Sequence, residues 1–129
     1  MHKRAGLRRV LLALSHGYSG MRYGVANDPA IREVLIAVVI LVPVSFFLPV
    51  GDVQHLLLVL SLMQVFLVEC INSALEAVVD RISLERHELS GYAKDLGSVA
   101  VGVAVLMSGL CWLVIAGPLF IAWLRGTGA

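Results

Sequence analysis

Residues 53–68 (VQHLLLVLSLMQVFLV) form sixteen consecutive positions without an acid, a lysine or an arginine, and the run ends on Glu69. A helix through this run lies mostly in hydrocarbon, and the same helical register continues into ECINSALEAVVD, residues 69–80. At helical pitch Glu69, Asn72, Glu76 and Asp80 fall at about 0°, 300°, 340° and 20°, so they share a stripe about 80° wide. Each charge on a membrane-entering helix costs kilocalories, and three carboxylates do not gather on one stripe for packing. Such a stripe holds a cation, activates a hydroxyl, or does both.

Composition places the rest of the chain in the same setting. It is 59% hydrophobic with only 15% charged residues and a mean hydropathy of +0.89, whereas soluble domains carry about a quarter charged residues. The expected class is all-α integral membrane, one domain over residues 1–129. It comprises an N-terminal amphipathic interfacial helix (1–27) and three membrane helices at 30–49, 52–82 and 92–124. In the first segment Leu7, Val10, Leu11 and Leu14 repeat at helical spacing with Arg4, Arg8 and Arg9 mostly off that stripe, and the glycines of residues 16–20 predict a bend. Asp28 then reads as an N-cap with Pro29 at the first helical position. The first span is apolar over 34–48 apart from Ser45, with Pro43 as a tolerated kink. Residues 49–52 form the outer turn and 83–91 a polar link. The last helix ends at Gly117-Pro118 or at Trp123. Its small residues, Ala100, Ala104 and Ser108 in one row and Ser98 and Gly102 in another, suit close helix packing. Trp112 and Trp123 read as interface anchors, or Trp112 as buried.

Nine of the ten positive charges precede the first span or lie between the second and third; only Arg125 lies beyond. The positive-inside rule therefore predicts a cytoplasmic N-terminus and, with three spans, an outer C-terminus. No secretory signal is expected, since the basic start leads into short amphipathic pieces. Cys70 and Cys111 lack metal-ligand spacing and read as buried thiols. The bilayer is the first partner, and no nucleic-acid partner is expected.

Depth separates the acids. Glu69 lies about 25 Å along its helix, near the cytoplasmic edge of a core about 30 Å thick, and Glu76 stands about 10 Å farther out. A carboxylate at the first depth can accept a proton from a lipid hydroxyl. One at the second can ligate Mg²⁺, which takes one or two carboxylates plus phosphate oxygens. The polar link adds Glu85, His87, Glu88, Lys94 and Asp95. Lys94, near flexible Gly91, suits a phosphate, although no GxxxxGK[ST] loop is present. Plainer readings stand beside these: Asn72 and Ser73 as hydrogen bonds between packed helices, Asp80 with Arg81 as a charge pair, His87 as a solvated loop residue, and Glu69 as an oligomer contact. His55 falls on the outer side and has no assigned role.

ECINSALEAVVDRISLERHELSGYAKDLGSVAV, residues 69–101, resembles the signature region of the prokaryotic diacylglycerol kinase family, and the likeness covers nearly the whole chain. The resemblance implies a small homotrimer in the bacterial inner membrane. It would move the ATP γ-phosphoryl to diacylglycerol and yield phosphatidic acid, at a site built between subunits. Glu69 would be the general base, and Glu76 and Asp28 the Mg²⁺ ligands, with Asn72 and Asp80 supporting. Glu85, Arg86, His87, Lys94 and Asp95 would contact ATP, Ser98 the lipid, and Arg9 would reach both from the N-terminal helix. The family usually has Glu where Asp28 stands; Asp keeps the charge but reaches one methylene less. Aligned without gaps, His16 takes the place of a nucleotide-contacting tyrosine; with a two-residue shift, Tyr18 does. An undecaprenol kinase of the same family is the near alternative, and the basic N-terminal helix and three full spans favour diacylglycerol. A non-enzymatic membrane subunit would leave Lys94-Asp95 and the acidic stripe idle.

Overall fold

The computed structural model describes residues 2–126, with side chains from residue 5 onward. Its elements are α1 (His2–Asn27), α2 (Pro29–Phe46), α3 (Asp52–Ile82) and α4 (Glu88–Leu124), and the last three are long and apolar enough to cross a membrane.

α1 runs without interruption through residues 16–20, so the expected bend leaves no break in the helix. Two glycines lower helix propensity without removing a hydrogen-bond donor, and a long helix absorbs that cost. Its apolar stripe is open: Leu7, Val10, Leu11 and Leu14 are all more than half exposed. Among the described elements α1 packs on α2 alone. α1 gives way to α2 at Asp28, whose N–H still closes the last turn of α1 on the Gly24 carbonyl at 2.7 Å. Arg32 reaches back to the carbonyls of Val25 and Ala26, both at 3.3 Å.

Asp28 caps α2 as its sequence signal predicts. Its Oδ1 accepts from the backbone N–H of Ala30 at 3.0 Å and of Ile31 at 3.4 Å, with Pro29 at the first turn. α2 stops at Phe46, three residues short of the expected 49. Pro49 has no N–H to continue the ladder and pushes Leu48 out of helical geometry. Two tight bonds, Phe47 N–H to the Val44 carbonyl and Leu48 N–H to the Ser45 carbonyl, close the end. There His55 proves structural. Its Nε2 lies 3.0 Å from the fully buried Ser45 Oγ, and its ring meets Phe46 edge-on at 4.3 Å.

α3 has 31 residues, about 46 Å at 1.5 Å per residue, so it outruns a core of about 30 Å. It lies between α2 and α4 and buries one stripe: Leu58, Ser61, Leu62, Glu69, Asn72 and Val79. Hydrogen bonds tie it to α4 within the apolar zone. Gln64 Nε2 donates to the Ala104 carbonyl at 2.6 Å, and the Ser61 and Ser108 hydroxyls meet at 3.1 Å. Of the two expected small-residue rows, only Ala104 and Ser108 face α3. Ala100, Ser98 and Gly102 are exposed, and the third small residue in the seam is Gly97. The polar side chains of α3 select the row, since α4 turns towards them the face whose small side chains admit hydrogen bonds.

α4 begins at Glu88, four residues before the expected 92, because His87 caps it through Nδ1, which accepts the Leu89 N–H at 3.1 Å. Histidine is not among the preferred caps, so the start is hard to read from sequence. Cys70 and Cys111 are unpaired thiols, half-buried rather than fully enclosed. Trp112 is half-buried as well, with an indole N–H that meets no acceptor.

Candidate active site

Two groups of polar side chains meet at the end of α3 that leaves the apolar zone. The first is built on α3 against the start of α2. Glu69 is 5% exposed, its neighbour on the stripe Asn72 is 9% exposed, and Glu76 is half-buried one turn beyond. Asn72 Nδ2 donates to Glu76 Oε1 at 3.5 Å. Ser73, just off the stripe, donates its hydroxyl to Asp28 Oδ2 at 2.6 Å. Asp28 therefore takes the helix N–H groups on one oxygen and a serine on the other. The Ser73 hydroxyl holds its carboxyl below the usual carboxylate range against a smaller opposing effect of burial, with help from the Ile31 and Ala30 N–H groups and Arg32. The charges of Asp28, Glu76 and Glu33 all act on Glu69, so two residues of α3 and two at the start of α2 lie within electrostatic reach of one another.

The second group is a cleft of about 480 Å³ between the end of α3 and the start of α4. Asp80, Glu85, Arg86, His87 and Lys94 all line it. Lys94 Nζ pairs with Asp80 Oδ1 at 2.5 Å, both side chains a little under half exposed. Asp80 is thus paired across the helices and not with adjacent Arg81. The short link is ordered from within: Ser83 Oγ accepts the Glu85 N–H at 3.0 Å before His87 starts α4. Glu76 connects the groups, since its charge acts on Lys94 as well as on Glu69.

Not every expected site residue joins them. Asp95 is exposed on the neighbouring face of α4, and Ser98 is exposed with its hydroxyl donated to the Lys94 carbonyl at 3.2 Å. Arg9, His16 and Tyr18 are exposed on α1, which touches neither α3 nor α4 within this chain. Glu33 is the residue that sequence reasoning passes over. Ser73 makes the hydrogen bond between packed helices that its sequence reading offers, with Asp28 as the partner. Glu33 stands alone at the start of an apolar run, and only the fold brings it towards Glu69.

The described residues fit Mg²⁺ in kind and number. No three His, Cys, Asp or Glu side chains converge among them, but Mg²⁺ needs only one or two carboxylates when phosphate oxygens complete its shell. Asp28 and Glu76 flank Glu69 and are the pair available. Capping does not disqualify Asp28, because each carboxylate oxygen has two lone-pair directions and the observed bonds leave room for a cation.

Comparison with known proteins shows the family. Residues 15–116 match the family described as prokaryotic diacylglycerol kinase. The diacylglycerol kinase of Escherichia coli (strain K12) is 41% identical over 110 residues, covering 85% of this chain and 90% of that protein. The Haemophilus influenzae enzyme is 38% identical over 112 residues, 87% and 95% of the two chains. That of Pseudomonas aeruginosa is 39% identical over 110 residues, 85% and 89%. The chain is a polytopic membrane protein of the lipid-kinase class. It belongs to the prokaryotic diacylglycerol kinase family.

Proposed function

We propose that the protein phosphorylates diacylglycerol at the expense of ATP, with Mg²⁺, to give phosphatidic acid. It would do so as a homotrimer in the bacterial inner membrane with its N-terminus in the cytoplasm. The observation that carries the reading is the depth order along α3: a buried Glu69 in the membrane-entering part, Glu76 one step out, and the Lys94 cleft beyond. A substrate with its tail in lipid and its hydroxyl at the edge meets Glu69 first, while a water-soluble nucleotide enters from the cleft. α1, laid along the interface by its apolar stripe, would bring Arg9 and His16 to a neighbouring subunit's site.

Glu69 takes the proton of the lipid hydroxyl as its oxygen forms a bond to the γ-phosphorus. The bond from that phosphorus to the bridging oxygen breaks, and its electron pair leaves on ADP. Lys94 and Arg86 hold the phosphates, and His87 and Glu85 contact the rest of the nucleotide at the cleft wall. Asp28 and Glu76 would hold Mg²⁺, which when bound neutralises charge on the β- and γ-oxygens. The Asn72 amide orients Glu76 and the Ser73 hydroxyl orients Asp28.

Purified protein supplied with ATP and either diacylglycerol or undecaprenol tests the reading. Faster transfer to diacylglycerol is expected. Faster turnover of undecaprenol would replace the acceptor, and no ATP consumption with either lipid in well-folded trimer would return the chain to a non-enzymatic role.

A further inference from the structure

The two polar atoms of the Asn72 amide have unlike surroundings. Nδ2 points to Glu76 Oε1, whereas Oδ1 is buried with no hydrogen-bond partner. The same amide also acts as a donor towards Glu69, so exchanging the two atoms would set an oxygen against both carboxylates, and the two acids together fix the orientation. What faces the orphaned oxygen is the bare Cα of Gly97 on α4. A methyl group built there would overlap Oδ1 outright and stand 3.3 Å from the amide carbon, whereas at Gly91, Gly102 and Gly109 of the same helix it meets nothing within 4 Å. Gly97 is also buried. A buried, unpaired carbonyl oxygen is unfavourable, and this one persists in a position that turns Nδ2 towards Glu76.

We infer that Gly97 is a positioning residue for Glu76 and acts through the Asn72 amide. Its missing side chain leaves the space in which Oδ1 can sit, and only with Oδ1 there does Nδ2 reach the carboxylate. Groups that orient a metal ligand are worth about 10–100-fold in metal affinity. The inference rests on the proposed role of Glu76 as a Mg²⁺ ligand.

The test is a double-mutant cycle on assembled protein with Gly97→Ala, Asn72→Ala and the pair together. It is read as Mn²⁺ affinity by paramagnetic resonance in the presence of a non-hydrolysable ATP analogue, and as the Mg²⁺ concentration for half-maximal activity. Gly97→Ala and Asn72→Ala are each expected to weaken the metal about tenfold with the lipid KM unchanged. The double variant should be no weaker than Asn72→Ala alone, because the methyl group added at position 97 then fills the space the amide has left. Unchanged Mn²⁺ affinity in Gly97→Ala, or losses that multiply in the double variant, overturns the inference. Should Gly97→Ala alone fail to assemble, the double variant must still assemble, and its failure equally rejects the link. Glu76→Gln separates this from the wider reading: if it binds Mn²⁺ as the wild type does, the metal role of Glu76 falls. The Gly97–Asn72 link is then judged by the same cycle on thermal stability, where additive losses reject it.

Discussion

Glu69 has the isolation a base needs and a packing residue does not. It is nearly closed off from solvent, and what acts on it is the Asn72 amide and the other acids, with no cation among the described residues. Glu69→Gln keeps size and hydrogen-bonding capacity, so an assembly contact would survive it. General-base catalysis contributes about 10²–10⁴-fold, and kcat in Glu69→Gln should fall on the order of a hundredfold or more with the KM for ATP little changed. A variant that keeps most of its kcat but loses its oligomer would make Glu69 an assembly contact instead. Asp28 carries the pH prediction. Its carboxyl is held below its ordinary value near 3.8 by Ser73 and the helix N–H groups. The stabilisation from these bonds is therefore complete above about pH 4 and is lost as pH falls through the depressed value. In metal-free buffer, thermal stability of the wild type should decline below about pH 4 more steeply than that of Asp28→Asn. Parallel pH curves would show that the Ser73–Asp28 bond contributes nothing to folding.

Between elements, the seam of α3 and α4 separates what holds the fold from the cleft proposed for nucleotide. Gln64 with the Ala104 carbonyl and Ser61 with Ser108 lock the register inside the apolar zone, while Lys94 and Asp80 pair at its exposed end. An exposed, solvent-screened pair contributes little to stability, so Asp80→Asn should leave the melting temperature nearly unchanged. Without Asp80 the long Lys94 side chain is no longer held at the cleft, and the KM for ATP should rise about two- to fivefold. A large stability loss with ATP binding intact would make the pair structural. Local signals in these elements are legible in the sequence: Asp28-Pro29 announces α2, and the stripe from Glu69 to Asp80 announces its own depth order. Partner choice is not. More than one small-residue row runs along α4, and only the positions of Gln64, Ser61 and Asn72 on the facing helix decide which of them is used. The Lys94–Asp80 pair likewise needs the short link that His87 ends early, and neither periodicity nor charge pattern reveals that cap.

At the scale of the whole molecule, one chain does not bring together all the residues proposed for the site. Arg9 and His16 sit on α1, which packs only on α2, while Glu69 and the Lys94 cleft lie on α3 and α4. Much apolar surface is also open, including Ile36, Val39 and Ile40 on α2 and Leu106, Leu110 and Leu113 on α4. Lipid covers some of it, and neighbouring copies would cover the rest. If the site takes Glu69 from one subunit and Arg9 from the next, two inactive variants should repair one another. Arg9→Ala and Glu69→Gln, each inactive alone, would be dissociated, mixed in equal amounts and reassembled. In a cyclic trimer with random mixing, a site is whole when an Arg9→Ala subunit supplies Glu69 and its neighbour, a Glu69→Gln subunit, supplies Arg9. This holds for about a quarter of sites, so the mixture should recover about a quarter of wild-type activity. A site contained in one chain, or an Arg9 that serves only folding, predicts no recovery at any mixing ratio. Of these two, a site contained in one chain would also require α1 to swing onto its own α3, because in this fold α1 packs on α2 alone.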